Sequence, residues 1–235
     1  MTIESYLQEN GSGDYARYRV ADIAPPAGVE AELLIVLESP HVEELNVGIP
    51  VSGRAGRSAL RFLIPSAHPN EALGPWITSR RRSNSDYRIA ILNVSPVPLQ
   101  VQAYLNHDPS PLLPAADWAA LSAIQASQSR SIDKLATVAE RNANRLLASG
   151  LESRLATIKM SATSTAVLAG AVAERTWAET VSKSAATTLT VPHPSMSGWQ
   201  KAAKSTYTTA AAEQRRKAHA ANLDKLRTLF TALTS

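Results

Sequence analysis

Four short apolar runs limit the folds open to this chain more than any other feature of its sequence. They cover Glu32–Leu37, Arg88–Asn93, Thr165–Ala169 and Thr187–Val191, and each is closely followed by a proline or a glycine. Their length and these stop signals favour buried strands over helices. Because the runs are continuously apolar rather than alternating, they predict a mainly parallel sheet with both faces covered.

The segments between these runs have helical patterns. The predicted helices cover Arg54–Leu63, Asp133–Ala148, Ala171–Lys183 and Ala210–Leu233, with Gly150 as the stop signal of the second. Strands alternating with helices predict an α/β fold, here a single-domain three-layer α/β/α arrangement with a short four-stranded central sheet. We expect residues 27–235 to form this domain and residues 1–26, which are polar and end in prolines, to form an N-terminal arm or edge element.

Composition excludes several classes of protein. The 235 residues fit one domain, no apolar run approaches the roughly 20 residues needed to cross a bilayer, and the N-terminus has no basic-then-apolar signal. A cytoplasmic protein, away from membranes, is the simple interpretation. The chain has no cysteine, and its five histidines include no close pair at zinc-motif spacing, so we expect neither a metal nor a cofactor. We also expect a monomer.

Positive charge is concentrated in two clusters. The net charge is +4, and the clusters are Arg80-Arg81-Arg82 and Arg215-Arg216-Lys217. Such clusters permit a polyanionic partner. The alternative is that one cluster lies on a solvated loop and the other on a solvated helix face, without binding anything. Both interpretations stay open.

Polar residues stand directly after three of the predicted strands. They are Glu38–His41, Asn93–Pro96 and His193–Ser195. In open parallel sheets, ligands bind at the carboxyl ends of the strands. We therefore expect Glu38, Asn93 and His193 to line one cleft at that edge.

These strand ends resemble the motifs of the uracil-DNA glycosylase superfamily. Residues 37–41 read Leu-Glu-Ser-Pro-His and are followed by two glutamates; they resemble the Gly-Glu-X-Pro-Gly motif of the thermostable bacterial and archaeal branch. Residues 50–56 resemble its Pro-Phe-Val-Gly-Arg-Ala-Gly segment. Leu92-Asn93-Val94 is similar to the base-reading motif, and residues 191–195 are similar to the closing His-Pro-Ser motif. The four matches come in family order and span most of the chain.

The resemblance implies a DNA base-excision repair enzyme, a monofunctional glycosylase that removes uracil or a related deaminated base and leaves an abasic site. Glu44 falls on the acidic position near the attacking water, Glu38 falls on the motif glutamate, and His193 faces the leaving base. Asn93 reads the base, in a pocket that also holds His41 and Val51.

The same resemblance implies a DNA-binding surface around the cleft. Ser39, Gly53, Arg54 and Ser195 would hold the DNA backbone, and Met196 falls where the family inserts a wedge into the duplex. From charge alone, we expect the cluster Arg80, Arg81 and Arg82 to meet phosphates as well.

The chemistry of base excision explains why these residue types would be needed. The target nucleotide must leave the stack and be held by its hydrogen-bonding edge. An asparagine amide offers both a donor and an acceptor for that edge. Cleavage leaves negative charge on the departing base, which a neutral imidazole can stabilise by donating to its oxygen.

The chain departs from the family pattern at three points. The four cysteines that hold an iron–sulfur cluster in the thermostable branch are absent. Val51 stands where the family has a phenylalanine that stacks on the base, and such stacking is worth roughly 1–3 kcal/mol. His41 replaces the glycine after the motif proline, where another branch has a tyrosine that excludes thymine.

Other interpretations remain open. Glu43 and Glu44 could form a solvated loop, Asn93 could cap a turn, and His193 could be a hydrogen-bonded strand-end residue. A second function is a catalytically weak or inactive protein on the same fold that binds a DNA lesion or an abasic site. A third is an unrelated α/β hydrolase-like enzyme, although the chain has no Gly-X-Ser-X-Gly motif and no P-loop.

Overall fold

A four-stranded sheet lies at the centre of the computed structural model, which describes residues 1–8, 18–105, 107, 113–180, 185, 187–195, 199–200 and 209–235. The strands are β1 (Glu30–Leu37), β2 (Ile89–Asn93), β3 (Lys159–Ala169) and β4 (Thr187–Val191). All three strand pairs are parallel, in the order β2-β1-β3-β4. The predicted α/β class and parallel sheet are confirmed.

Eight α-helices with both ends in the described residues surround the sheet, and Trp199 and Gln200 are helical as well. The eight are α1 (Ile3–Gln8), α2 (Val42–Val47), α3 (Arg54–Leu63), α4 (Leu73–Asn84), α5 (Ala115–Ala126), α6 (Val138–Leu155), α7 (Ala171–Glu179) and α8 (Ala210–Thr234). Short 3-10 turns lie at Val101–Tyr104 and Ile132–Lys134. No helix in the described ranges is long and apolar enough to cross a membrane.

Side-chain alternation along β1 divides the core into two clusters. Leu34 and Val36 pack with apolar residues of α1, α5, α6 and α7 on one face of the sheet. Leu33 and Ile35 pack with those of α3, α4 and α8 on the other. Successive residues of a strand point to opposite faces, so a continuously apolar strand serves both clusters. The three predicted layers follow from this arrangement.

Several predicted boundaries were wrong, most of all both ends of the sixth helix and the start of β3. The sixth helix begins after Thr137, whose hydroxyl accepts the N–H of Glu140, and continues through Gly150 to Leu155. A glycine inside a helix costs only ~1 kcal/mol relative to alanine, and burial of Leu151 and Leu155 outweighs that cost. Strand β3 begins at Lys159 rather than Thr165. The prediction missed its first six residues because most of them are polar and unburied, so they form no apolar run.

The N-terminal segment covers the outer edge of β2. Ile23 and Ile91 form an antiparallel bridge with two N–H···O bonds of 2.9 Å. Tyr6 and Leu7 of α1 are buried in the same cluster as α6. The bridge at Ile23 thereby pairs part of the outer edge of β2, which would otherwise be open to another strand.

Candidate active site

The carboxyl ends of β1, β2 and β4 border a cleft of about 320 Å³. Its lining consists of Leu37, Ser39, His41, Glu43, Glu44, Val51, Gly53, Arg54, Ala55, Asn93, His193, Pro194 and Ser195. The strands are parallel and adjacent segments follow them, so residues far apart in the chain meet at this edge.

Nine of the predicted site residues line this cleft: Ser39, His41, Glu44, Val51, Gly53, Arg54, Asn93, His193 and Ser195. Met196 lies outside the described residues. Glu38 and the cluster Arg80–Arg82 are elsewhere in the molecule, for reasons given below. The cleft therefore combines all four segments that carry the family resemblance.

Two buried polar atoms in the cleft have no hydrogen-bond partner in the part of the chain that the structure describes. They are Nδ2 of Asn93 and Oγ of Ser39. Asn93 is 2% exposed and Ser39 is 6% exposed. Leaving a buried donor without a partner costs about 1–3 kcal/mol. Both atoms could recover that energy by bonding a polar ligand in the cleft.

The backbone of Asn93 is held from outside the sheet by Arg154. Nη2 of Arg154 donates to the carbonyl oxygens of Asn93 and Val94, at 2.7 Å each. Nη1 of the same side chain donates to the two carboxylate oxygens of Asp22, at 2.7 and 3.0 Å. This ion pair fixes the end of β2, and the sequence had no pattern that indicated it.

His193 is a neutral imidazole of the cleft. Burial, and then the nearby His41, lower its pKa from 6.5 to about 4. Gly170 makes room for it, because a Cβ at that position would lie 3.1 Å from the Cβ of His193. At neutral pH His193 can therefore donate one ring N–H without carrying charge. His41 lies at the exposed rim, and partial burial lowers its pKa as well.

Glu44 is buried and bonded to two backbone N–H groups. Its Oε2 accepts the N–H of His41 at 2.9 Å, and its Oε1 accepts the N–H of Val51 at 2.6 Å. Burial raises its pKa, and the two hydrogen bonds oppose that effect. Glu44 thus joins His41 to Val51, the two ends of the segment that contains it. Each carboxylate oxygen can still accept a further bond from a ligand in the cleft.

Val51 has a backbone conformation that few β-branched residues adopt. Its φ is 54°, in the left-handed region, and its side chain is 5% exposed. The peptide is held by Glu44, by the N–H of Gly74, which donates to the Val51 carbonyl at 3.3 Å, and by Gly56, where any Cβ would collide with that carbonyl. Strain of about 1–3 kcal/mol persists only where the surroundings impose it, and such positions cluster at functional sites.

Glu43 caps the helix that follows the loop. Its Oε2 accepts the N–H of Arg54 at 2.9 Å, and its Oε1 accepts Nη2 of Arg57 at 3.1 Å. Slight burial opposes ionisation, but these bonds prevail and lower the pKa of Glu43. The two adjacent glutamates are therefore structural members of the cleft wall, and the solvated-loop interpretation is wrong for Glu44.

Glu38 does not line the cleft, which corrects the expectation that it would join Asn93 and His193. Its carboxylate is hydrogen-bonded to Gln125 and lies near Arg175, on the side of α5 and α7. Burial raises its pKa to about 7, while Gln125 and Arg175 favour the charged form. Successive residues of a strand point to opposite faces of the sheet, so Glu38 points away from the cleft that Leu37 lines.

The cluster Arg80–Arg82 is also separated from the cleft. Helix α4 starts beside Val51 and ends near the first residue of β2. Its 12 residues span about 18 Å, which separates the two ends. There Arg81 donates to the carbonyls of Ala24 and Ile89, at 2.6 Å each. Arg80 pairs with Asp86 at 3.2 Å, and Arg82 is exposed. The expectation that this cluster joins the DNA surface of the cleft is therefore not retained.

Within the described ranges, no group of three or more His, Asp or Glu side chains could hold a metal ion. A scan against models of known protein families found no match, and a search of curated proteins found none either.

Proposed function

We propose that this protein is a DNA glycosylase that hydrolyses the N-glycosidic bond of uracil, or of a related deaminated base, and leaves an abasic site. One observation carries the proposal: buried, unpartnered donors on Asn93 and Ser39 face the same cleft as a neutral histidine. Four separate segments that resemble the uracil-DNA glycosylase motifs line that cleft. Its volume of about 320 Å³ is at the lower end of the range for small-ligand pockets.

Asn93 would recognise the flipped base. Its unpartnered Nδ2 can donate to a carbonyl oxygen on the pyrimidine edge, and its Oδ1 can accept the neighbouring ring N–H. Arg154 holds the carbonyl of the same residue, so the amide would be presented from a fixed backbone. A base without that donor–acceptor pattern would leave the Asn93 amide unpaired, at a cost of about 1–3 kcal/mol.

His193 and Glu44 would share the chemistry. When the C1′–N bond breaks, positive charge develops on the sugar and negative charge on the leaving base. The neutral His193 can donate a hydrogen bond to the oxygen that gains charge. Glu44 can stabilise the sugar cation and orient the attacking water, whose oxygen forms the new bond to C1′. The proton that this water loses is taken up by the departing base or by solvent.

The test is release of uracil from a labelled uracil-containing oligonucleotide, read as alkali-sensitive strand cleavage. We expect the parent protein to cleave and Asn93→Asp to lose uracil excision, because a carboxylate cannot donate to the base. Asn84→Asp makes the same change on the exposed end of α4 and should match the parent. Equal rates for all three proteins would exclude this cleft as the base pocket.

A second candidate is a protein that binds a lesion or an abasic site without excision. It is favoured by the absence of any Phe, Tyr or Trp from the described lining of the cleft, where Val51 occupies the position of the family's stacking ring. Binding of the uracil-containing DNA with no alkali-sensitive product, at any enzyme excess, would support this alternative over the glycosylase.

A further inference from the structure

Four charged or ionisable side chains gather beside the cleft without lining it. They are Arg130, Glu174, Arg215 and His219, from the segment after α5, from α7 and from α8. Nε of Arg130 donates to Oε2 of Glu174 at 2.6 Å; the two side chains are 30% and 10% exposed. We refer to these four residues as the basic cluster.

The basic cluster lies at the edge of the sheet that holds the cleft. Helix α7 starts at Gly170, which packs against His193, and the N–H of Glu174 donates to the carbonyl of Gly170 one turn later. On α8, Arg215 and His219 lie on the same helical stripe as Asn222, whose Nδ2 donates to the carbonyl of Thr190 near the end of β4.

Positive charge exceeds negative charge in this cluster. Arg215 lies one helical turn before His219 on α8, and Arg130 is bonded to Glu174 on α7. Burial, followed by the positive charges of Arg130 and Arg215, lowers the pKa of His219. Both arginines also act on the single carboxylate, Glu174, whose pKa is raised by burial. Two arginines therefore act on one carboxylate, and the excess positive charge would attract a bound anion.

We propose that Arg130, Arg215 and His219 bind the phosphodiester backbone of DNA, next to the nucleotide that enters the cleft. A guanidinium group can make two parallel hydrogen bonds to one phosphate, and a helical turn separates Glu174 from the residue that contacts His193. The identity of the anion as DNA rests on the proposed function. The geometry thus assigns the phosphate contacts to the α7–α8 side and not to Arg80–Arg82 at the opposite edge.

The experiment measures binding of an unmodified fluorescent duplex by anisotropy over a series of salt concentrations. Each lost phosphate contact lowers the slope of log K against log [salt] by about 0.9. We expect Arg215→Ala to weaken binding several-fold and reduce the slope by about one contact, and Arg215→Lys to retain most of it. Arg82→Ala, an exposed arginine at the opposite edge, is the matched control and should leave the slope unchanged. Thermal melting verifies that each variant is folded.

The outcomes are separable from those of the glycosylase test. An unchanged slope in Arg215→Ala, or a reduced slope in Arg82→Ala alone, overturns the assignment of the phosphate surface. Failure of the parent to bind the duplex at low salt overturns it as well. Uracil excision is measured on the same samples, so a parent that binds DNA with the expected slope but releases no uracil refutes only the glycosylase proposal.

Discussion

On the cleft side of the strand ends, donors of Asn93 and Ser39 have no partner among the described residues, whereas on the opposite side a buried guanidinium group donates from all three of its nitrogens. Arg175 is 0% exposed and donates to Asn144 Oδ1 at 2.9 Å, to the Ile124 carbonyl at 2.8 Å and to the Ser129 carbonyl. Unpartnered atoms of Gln125 and Asn144 exist there too, but they do not line the cleft.

The difference separates a surface prepared for a ligand from a polar brace inside the fold. Glu44 and Glu38 illustrate it, since one lies on each side of the strand end. Glu44 accepts two backbone N–H groups at the cleft wall, and Glu38 is neutralised in part by burial beside Gln125 and Arg175. We expect changes on the two sides to affect catalysis and stability differently.

The largest effect should come from Arg175→Met. The change removes the guanidinium group, so three buried acceptors lose their donor and Glu38 loses the positive charge of Arg175. Removing one partner of a buried charged pair typically lowers stability by about 3–5 kcal/mol. Urea denaturation measures the loss. Arg145→Met, an exposed arginine on α6, should cost little. A loss below 1 kcal/mol would show that Arg175 is not a structural brace.

His193→Ala should act on chemistry instead of stability. Removing a preorganised donor to a developing anion typically costs about 10²–10³ in rate. Single-turnover excision with saturating enzyme isolates that step, and we expect DNA affinity to change little. His68→Ala, on the loop before α4, should keep the parent rate. Parent-like excision by His193→Ala would remove this histidine from the reaction.

Glu44→Gln and Glu38→Gln form a matched pair across the strand end. The first removes a carboxylate from the cleft, and we expect a loss of about 10² in the single-turnover rate with DNA binding retained. The second removes a carboxyl that does not line the cleft and should leave the rate near that of the parent. The reverse ranking would place the catalytic carboxylate on the other side of β1.

Glu38→Gln should change the pH dependence of stability. The folded-state pKa of Glu38 is raised from 4.5 to about 7, so the folded protein binds the proton more tightly than the unfolded chain between these values. The contribution is complete below pH 4.5 and is lost as the pH rises through about 7. The variant, neutral at every pH, should gain roughly 1–2 kcal/mol over the parent at pH 8. Glu4→Gln, which is exposed on α1, should show no such gain.

The smallest effect should come from Val51→Gly, which trades lost burial against relieved strain. The positive φ of Val51 is favourable for glycine, so about 1–3 kcal/mol of strain offsets the loss of the side chain. Val167→Gly, in the centre of β3, has no such compensation. Melting temperatures should therefore fall clearly less for Val51→Gly than for Val167→Gly, and equal falls would show that the Val51 backbone is relaxed.

The arrangement of the site was partly predictable. Proline and glycine after apolar runs marked the strand ends, and parallel strands bring their carboxyl ends to one edge, so the meeting of Asn93 and His193 followed from the sequence, whereas Glu38, predicted beside them, lies elsewhere. The ion pair of Arg154 with Asp22 did not, because 132 positions separate the two residues and neither lies in a periodic pattern.

By itself, the sequence determined the α/β class, the parallel sheet and the residues at its strand tips, because local apolar patterns and stop signals act over a few residues. Only the tertiary structure decided which side of β1 Glu38 faces, since a continuously apolar strand has no alternation that distinguishes its two faces. It also placed Arg81, on α4, against backbone carbonyls at the opposite edge, and brought Arg130 to Glu174 across 44 positions of the chain. Such long-range placements depend on how helices pack, which neighbouring residues in the chain do not encode.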